Sequence, residues 1–222
     1  MIELQFTGER FVPTETGRIA YEHFHRYAMA TEVVADKVVV DVASGEGYGT
    51  AILARGAKRV IGVDLDATSV EFARHKYRDL RNVEFMLGDC RNLPLDDNSV
   101  DVVISFETIE HIVEHDRMLG EIDRVLRPDG VLLISSPDAS FYSETFAQEN
   151  PFHLRELTAA EFQTLMLRYF PQVQVYRQRL GIASFVIADH GKDGEPFKAY
   201  MRGDRATVAG PQPLPQSAFV IA

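Results

Sequence analysis

Apolar residues along this chain follow two rhythms that take turns. Short continuous apolar runs predict buried strands at about 38–43, 59–64, 82–87, 100–106 and 131–135. Between them the spacing lengthens to that of a helix face. The stretch 48–55 reads as a first crossover helix closed by Gly56, and 67–78 as a second with Val70, Ala73 and Tyr77 on one face. The stretch 115–126 carries Met118, Leu119, Ile122 and Leu126 at helical spacing and is stopped by Pro128-Asp129-Gly130. This alternation predicts an α/β fold with a doubly wound, mostly parallel sheet.

Outside that region the rhythm loosens. Residues 1–37 read as an aromatic-rich arm with Phe6, Phe11, Tyr21, Phe24 and Tyr27, and 31–37 as the end of a helix leading into the sheet. Residues 137–157 read as a long loop, polar and aromatic, of a length that serves as a lid or stays disordered. Thr158 is placed to cap a helix at 159–169, with Glu161 at the capping-box position; Pro171 ends it, and 173–176 predicts a strand. Two apolar stretches compete for the last strand, 183–188 and 218–222. The Gly- and Pro-rich segment between them favours a long insertion, with 218–222 as the final edge strand.

Composition narrows the classes. The 222 residues suit a single domain, 1–222, built from the arm (1–37), a core (38–136) and a C-terminal portion (137–222) with the long loop, the last helix and the final strands. A net charge of −10 argues against a broad nucleic-acid footprint, so no nucleic-acid partner is expected. No apolar run reaches membrane-spanning length. The start MIELQFTGER lacks the basic and apolar regions of a signal peptide, which makes the cytoplasm the expected compartment. Cys90 is the sole cysteine, which excludes an internal disulfide and a cysteine metal cluster. The late insertion offers a surface through which two copies could pair, so a homodimer stays open.

The stretch DVASGEGYG, 41–49, follows the first strand directly. Glycines at 45, 47 and 49 let backbone approach a ligand where no side chain would fit. The second strand ends in Asp64, 19 residues beyond Gly45, where an acid can accept both hydroxyls of a ribose. The glycine spacing differs from the G-x-G-x-x-G of dinucleotide folds, which disfavours a dehydrogenase. Asp41 would repel a pyrophosphate yet can pair with an ammonium, or can support the loop through hydrogen bonds. Asp89 follows strand three, where it or its backbone can reach an adenine amino group. An α-amino group, a ribose and an adenine together describe S-adenosylmethionine (SAM).

On Asp41-Val-Ala-Ser-Gly45-Glu-Gly47, Val63-Asp64, Gly88-Asp89-Cys90 and the later run RVLRPDGVLLIS, the sequence resembles the class I SAM-dependent methyltransferases over roughly 38–136. The resemblance implies a Rossmann-like, seven-stranded sheet of order 3-2-1-4-5-7-6 with an antiparallel seventh strand. It also implies cofactor contacts at Asp41, Ala43, Gly45, Gly47, Asp64, Leu65, Asp89, Cys90, Phe106 and Glu107. Ala43 stands where many members have the first glycine. The segments FTGERFVP (6–13), EHFHRY (22–27) and NPFHLREL (150–157) are similar to a bacterial subgroup of glycan and surface-polysaccharide biosynthesis. That similarity implies O-methylation of a sugar or glycan intermediate, with S-adenosylhomocysteine as product.

Several residues keep two readings. Tyr21 and Arg26 either pack the arm onto the surface or fold over the cofactor, with Arg26 forking onto its carboxylate. His111, after strand four, is the leading general base for a hydroxyl acceptor, or else braces the next helix; His115 reads as surface. Glu107, Glu110 and His111, with distant His153, also resemble the divalent-ion pattern of some RNA-end and quinone O-methyltransferases. Phe141, Tyr142, Phe146 and Phe152 either anchor the loop or wall an acceptor site. Two other functions therefore remain: a metal-assisted O-methyltransferase on a small phenol or RNA end, and a SAM-binding partner subunit without an acceptor site.

Overall fold

The computed structural model describes residues 11–14, 16–140, 150–178 and 180, together with the backbone of 183–184, 200–201 and 219–221. Five strands run parallel: β1 (Val38–Val42), β2 (Arg59–Asp64), β3 (Val83–Leu87), β4 (Val100–Phe106) and β5 (Leu126–Pro137). Beyond β5 come β6 (Tyr176–Gln178), the small pair β7 (Ala183–Ser184) and β8 (Tyr200–Met201), and β9 (Phe219–Ile221). The main sheet has the order β3-β2-β1-β4-β5-β9-β6, with β9 antiparallel to both neighbours.

Side chains on successive strand positions face opposite sides of the sheet, so each strand feeds two cores. Val40, Val42, Ile61, Val63 and Val103 pack with helices α4 (His115–Val125) and α5 (Ala159–Met166). Val39, Val60, Val102 and Ile104 pack with Tyr27 and Ala30 of helix α1 (Arg18–Ala30) and with Leu53 of helix α2 (Tyr48–Leu53). Helix α3 (Ala67–Lys76) lays Val70 and Ala73 on Phe85 of β3. Strands buried on both faces need apolar residues throughout, which is why the runs carry no alternation.

Local chemistry sets the boundaries. Asp66 caps α3 by accepting from the backbone of Thr68 and Ser69. Thr158 and Glu161 form the expected reciprocal capping box on α5. Several elements differ from expectation: β5 starts at Leu126 instead of 131, and α5 ends at Met166 instead of 169. The arm's helix is 18–30, and 31–37 are turns. Strand β6 starts at Tyr176, so 173–175 precede it. The terminal strand β9 sits between β5 and β6 instead of at the edge, while 183–184 pair only with 200–201. The N-terminal part of FTGERFVP, the aromatics Phe141, Tyr142 and Phe146, and most of the late insertion lie outside the described residues.

Candidate active site

A cavity of about 930 Å³ opens at the carboxyl ends of β1, β2, β3 and β4, where open α/β sheets place their ligands. Its walls come from four segments: the loop after β1, the ends of β2 and β3, the turn after β4, and α1 with the residues before it. Asn150 and His153 close one side.

One half is the loop between β1 and α2. Gly45 takes a left-handed backbone (φ 54) and donates its N–H to Asp64 Oδ2 at 2.7 Å. The other Asp64 oxygen accepts from Asp66 N at 2.9 Å. Each carboxylate oxygen can accept more than one hydrogen bond, the chemistry that a pair of ligand hydroxyls requires. Ala43 also lies in the left-handed region (φ 59), which a glycine would occupy without strain. Leu65 and Cys90 line the same half. Burial pushes the Cys90 thiol up to about 12, so it stays neutral. Asp89 lines the cavity too, but its carboxylate is gripped by Arg91, which holds it down at about 2. The Arg91 grip occupies much of the acceptor capacity of this carboxylate, leaving the backbone of 88–90 beside it at the cavity wall.

The arm supplies the roof. Phe11, His23, Tyr27 and Tyr48 meet edge-on or stacked, joining α1 to the start of α2. His23 is stacked on Phe11 and shares a 3.0 Å hydrogen bond with the Tyr48 hydroxyl. Burial, reinforced by Arg26, holds its pKa well below the usual histidine range, so it is neutral. Arg26 is buried in the cavity wall, 3.7 Å from Glu107. Glu107 itself adopts φ 53 and accepts from Ser135 Oγ at 2.6 Å. A strained backbone at a cavity wall is the pattern of a side chain held for a purpose. The adjacent cation and anion match the two ends of a zwitterion.

The other half centres on the 3-10 turn Ile109–His111. His111 Nδ1 lies 3.0 Å from the Phe152 carbonyl, which can only accept, so Nδ1 carries the proton and Nε2 is the basic nitrogen. His153 meets His111 edge-on at 5.0 Å; its Nδ1 donates to Glu156 at 2.5 Å. Glu110 is fully buried and neither of its side-chain oxygens has a hydrogen-bond partner among the described residues. Burial, then the charge of Glu107, drives its pKa well above the carboxylate range. One ligand atom each from Glu110, His111 and His153 lies within 4.8 Å of the others. The backbone bonds from Leu154 and Arg155 to the Glu110 carbonyl tie the 150–157 segment over this turn.

Arg26, Ala43, Gly45, Asp64, Leu65, Asp89, Cys90, Phe106, Glu107 and His111 therefore share one cavity. Tyr21, Asp41 and Gly47 do not line it. Tyr21 points outward at 68% exposure. Asp41 faces the α1/α2 side, as the strand period places it with Val39, and accepts from Tyr27 Oη at 3.0 Å and Thr50 Oγ1 at 2.6 Å. It braces the loop from beneath, which is the second of the two roles its position allowed. A side chain at 47 would run into Phe85, and one at 49 into Tyr27, so these glycines admit packed rings. His115, expected at the surface, is buried. Sequence reasoning missed Gln178, whose partners are distant in sequence, and assigned no role to Ser135 or Glu156 although both lie in quoted motifs.

Comparison with known proteins agrees with this geometry. Residues 40–134 match the family described as "Methyltransferase domain". That match and the fold give the chain the architecture of the class I methyltransferases, and the relatives it resembles are named S-adenosylmethionine-dependent methyltransferases. Among its relatives, a "Probable S-adenosylmethionine-dependent methyltransferase" of Mycolicibacterium smegmatis is 39% identical over 166 residues, 73% of this chain and 63% of that protein. A "Phthiotriol/phenolphthiotriol dimycocerosates methyltransferase 1" of Mycobacterium ulcerans is 34% identical over 124 residues, covering 55% of this chain and 45% of its own length. The crystal structure of the YcgJ protein of Bacillus subtilis shares the fold, with TM-score 0.62, 23% identity and coverage of 73% and 74%. The chain thus spans about three-fifths of the first of these relatives. Among the described residues no helix is long and apolar enough to cross a membrane.

Proposed function

We propose that this chain transfers a methyl group from SAM to a hydroxyl of a small polar acceptor, a sugar or glycan intermediate. The observation that carries the reading is the joining of the Gly45–Asp64 cradle to His111 in one cavity. When bound, SAM supplies an electrophilic methyl on a sulfonium and leaves as S-adenosylhomocysteine. Gly45 and Asp64 hold the ribose, Leu65 and Cys90 flank the base, and Arg26 with Glu107 meets the zwitterionic end. His111 Nε2 takes the acceptor's proton as the oxygen attacks. Fixing both partners is worth several kcal/mol, on the order of 7–11 in well-oriented reactions. The cavity volume suits a nucleoside cofactor with a small acceptor beside it, and its hydroxyl-competent lining of Thr16, Glu22 and Asn150 supports a polar acceptor over a hydrocarbon one.

Incubation with SAM and a panel of nucleotide-sugars and oligosaccharides, read by mass spectrometry for one added methyl, tests the acceptor class. His111→Ala should lose about 10²-fold or more in turnover at neutral pH; retained turnover removes the base.

The buried Glu110, with no hydrogen bond to its carboxyl among the described residues and His111 Nε2 at 4.0 Å, favours a second reading, in which Glu110, His111 and His153 hold a divalent ion beside the acceptor. One carboxylate and two imidazoles suit a borderline ion such as zinc or ferrous iron, and Glu156 behind His153 is the outer partner such ligands use. Loss of methyl transfer on chelation and its recovery with added metal would establish it. Activity indifferent to chelator would leave His111 as a plain base. The acidic surface argues against RNA as the acceptor in either case.

A further inference from the structure

Arg26 is 1% exposed, and a guanidinium so deep must be well partnered or it destabilises the fold. Its 2.8 Å partner is the amide oxygen of Gln178, 152 residues along the chain. Gln178 is itself 7% exposed. Its amide nitrogen donates to the Glu22 carbonyl at 3.0 Å. Arginine only donates and a carbonyl only accepts, so the two partners dictate which end of the amide faces which way. Strand β6 brings Gln178 there because Gln178 pairs with Phe219, and Phe219 pairs with Pro137 at the carboxyl end of β5.

The chemistry of the partner matters. An amide oxygen orients a guanidinium without cancelling its charge, whereas a carboxylate would do both. Glu107 Oε1 stands 3.7 Å away and already accepts from Ser135. We propose that Gln178 is a positioning residue: beside the ion pair with Glu107, it fixes the Arg26 guanidinium in the cavity wall, where it meets an anionic end of the ligand, the carboxylate of the cofactor. This rests on the SAM reading above. It places a determinant of cofactor affinity outside residues 40–134, in the part of the chain the methyltransferase family match does not reach.

The test uses the full chain, calorimetry, and two probes. S-adenosylhomocysteine carries the amino-acid end; 5′-methylthioadenosine has the nucleoside and thioether but neither carboxylate nor ammonium. Gln178→Glu should weaken S-adenosylhomocysteine by about tenfold or more while methylthioadenosine changes by less than about twofold. In turnover, KM for SAM should rise while kcat at saturation holds within about threefold. Gln178→Met, which keeps volume without an acceptor, should show the same selectivity in weaker form. Equal losses of both probes, or a fall in thermal stability with neither probe affected, would make Gln178 merely structural and overturn the proposal. Where Gln178→Glu does not fold, the selectivity of Gln178→Met decides. Wild type that binds neither probe would instead overturn the cofactor reading itself.

Discussion

Two carboxylates are fully buried at the carboxyl ends of the adjacent strands β1 and β4, and they are buried in opposite ways. Asp41 accepts one hydroxyl from each of two helices, Tyr27 of α1 and Thr50 of α2. Glu110 has a hydrogen bond to neither oxygen among the described residues. The first arrangement fastens the arm to the glycine loop and is complete as it stands. The second is complete only with a proton or a cation. Burial depth alone says nothing of function; what separates a brace from a site is whether the buried group already has its partners.

The widest effect expected from that contrast concerns pH. Burial raises Asp41 to about 7, against hydroxyl bonds that pull it down. Between about pH 4 and 7 the unfolded chain has lost this proton and the folded chain keeps it. The folded state then binds more protons, so stability falls as pH rises through that window, by on the order of 4 kcal/mol. Asp41→Asn should flatten the decline, as denaturant titrations across the window would reveal; an unchanged slope would assign it to other groups. Burial also raises the Glu110 pKa well above the carboxylate range, so Glu110→Met, similar in volume and apolar, should gain on the order of 1–3 kcal/mol at neutral pH, measured by the same titrations. A loss instead would mean that Glu110 is satisfied and that the contrast fails.

Smaller changes sharpen the cofactor half. Asp64→Ala should weaken SAM by about 1–3 kcal/mol in calorimetry, through lost charge-assisted bonds. Unchanged affinity would sink the ribose assignment. Ala43→Gly should raise stability by about 1 kcal/mol, since the left-handed backbone at 43 penalises a Cβ. Thermal unfolding reads that difference, and no gain would mean the loop relaxes around alanine at no cost.

The parallel core was legible in the sequence because strands buried on both faces must be apolar throughout, and turn residues punctuate them. That Gly45, Asp64 and Asp89 share one cavity was legible because they are close in sequence and sit at successive strand ends. Of the two readings of Asp41, ligand contact and loop support, the strand period already pointed to the second: it shares a face with Val39, which looks toward the helices and away from the cavity. Gly49 was read as room for a ligand, when the ring it admits is Tyr27. Gln178 was beyond reach, since its partners Arg26 and Glu22 lie over 150 residues away and no local pattern marks it. The terminal strand was found but not its place, because strand order beyond β5 depends on a long return that hydrophobic rhythm does not encode.

That return leaves a mark on how the protein is made. During synthesis β5 is finished at Pro137, but the strand that covers its flank, Phe219–Ile221, emerges about 80 residues later, several seconds at ribosomal speed. Until then a bare backbone edge faces solvent or a chaperone, the kind of edge on which nascent chains stick to one another.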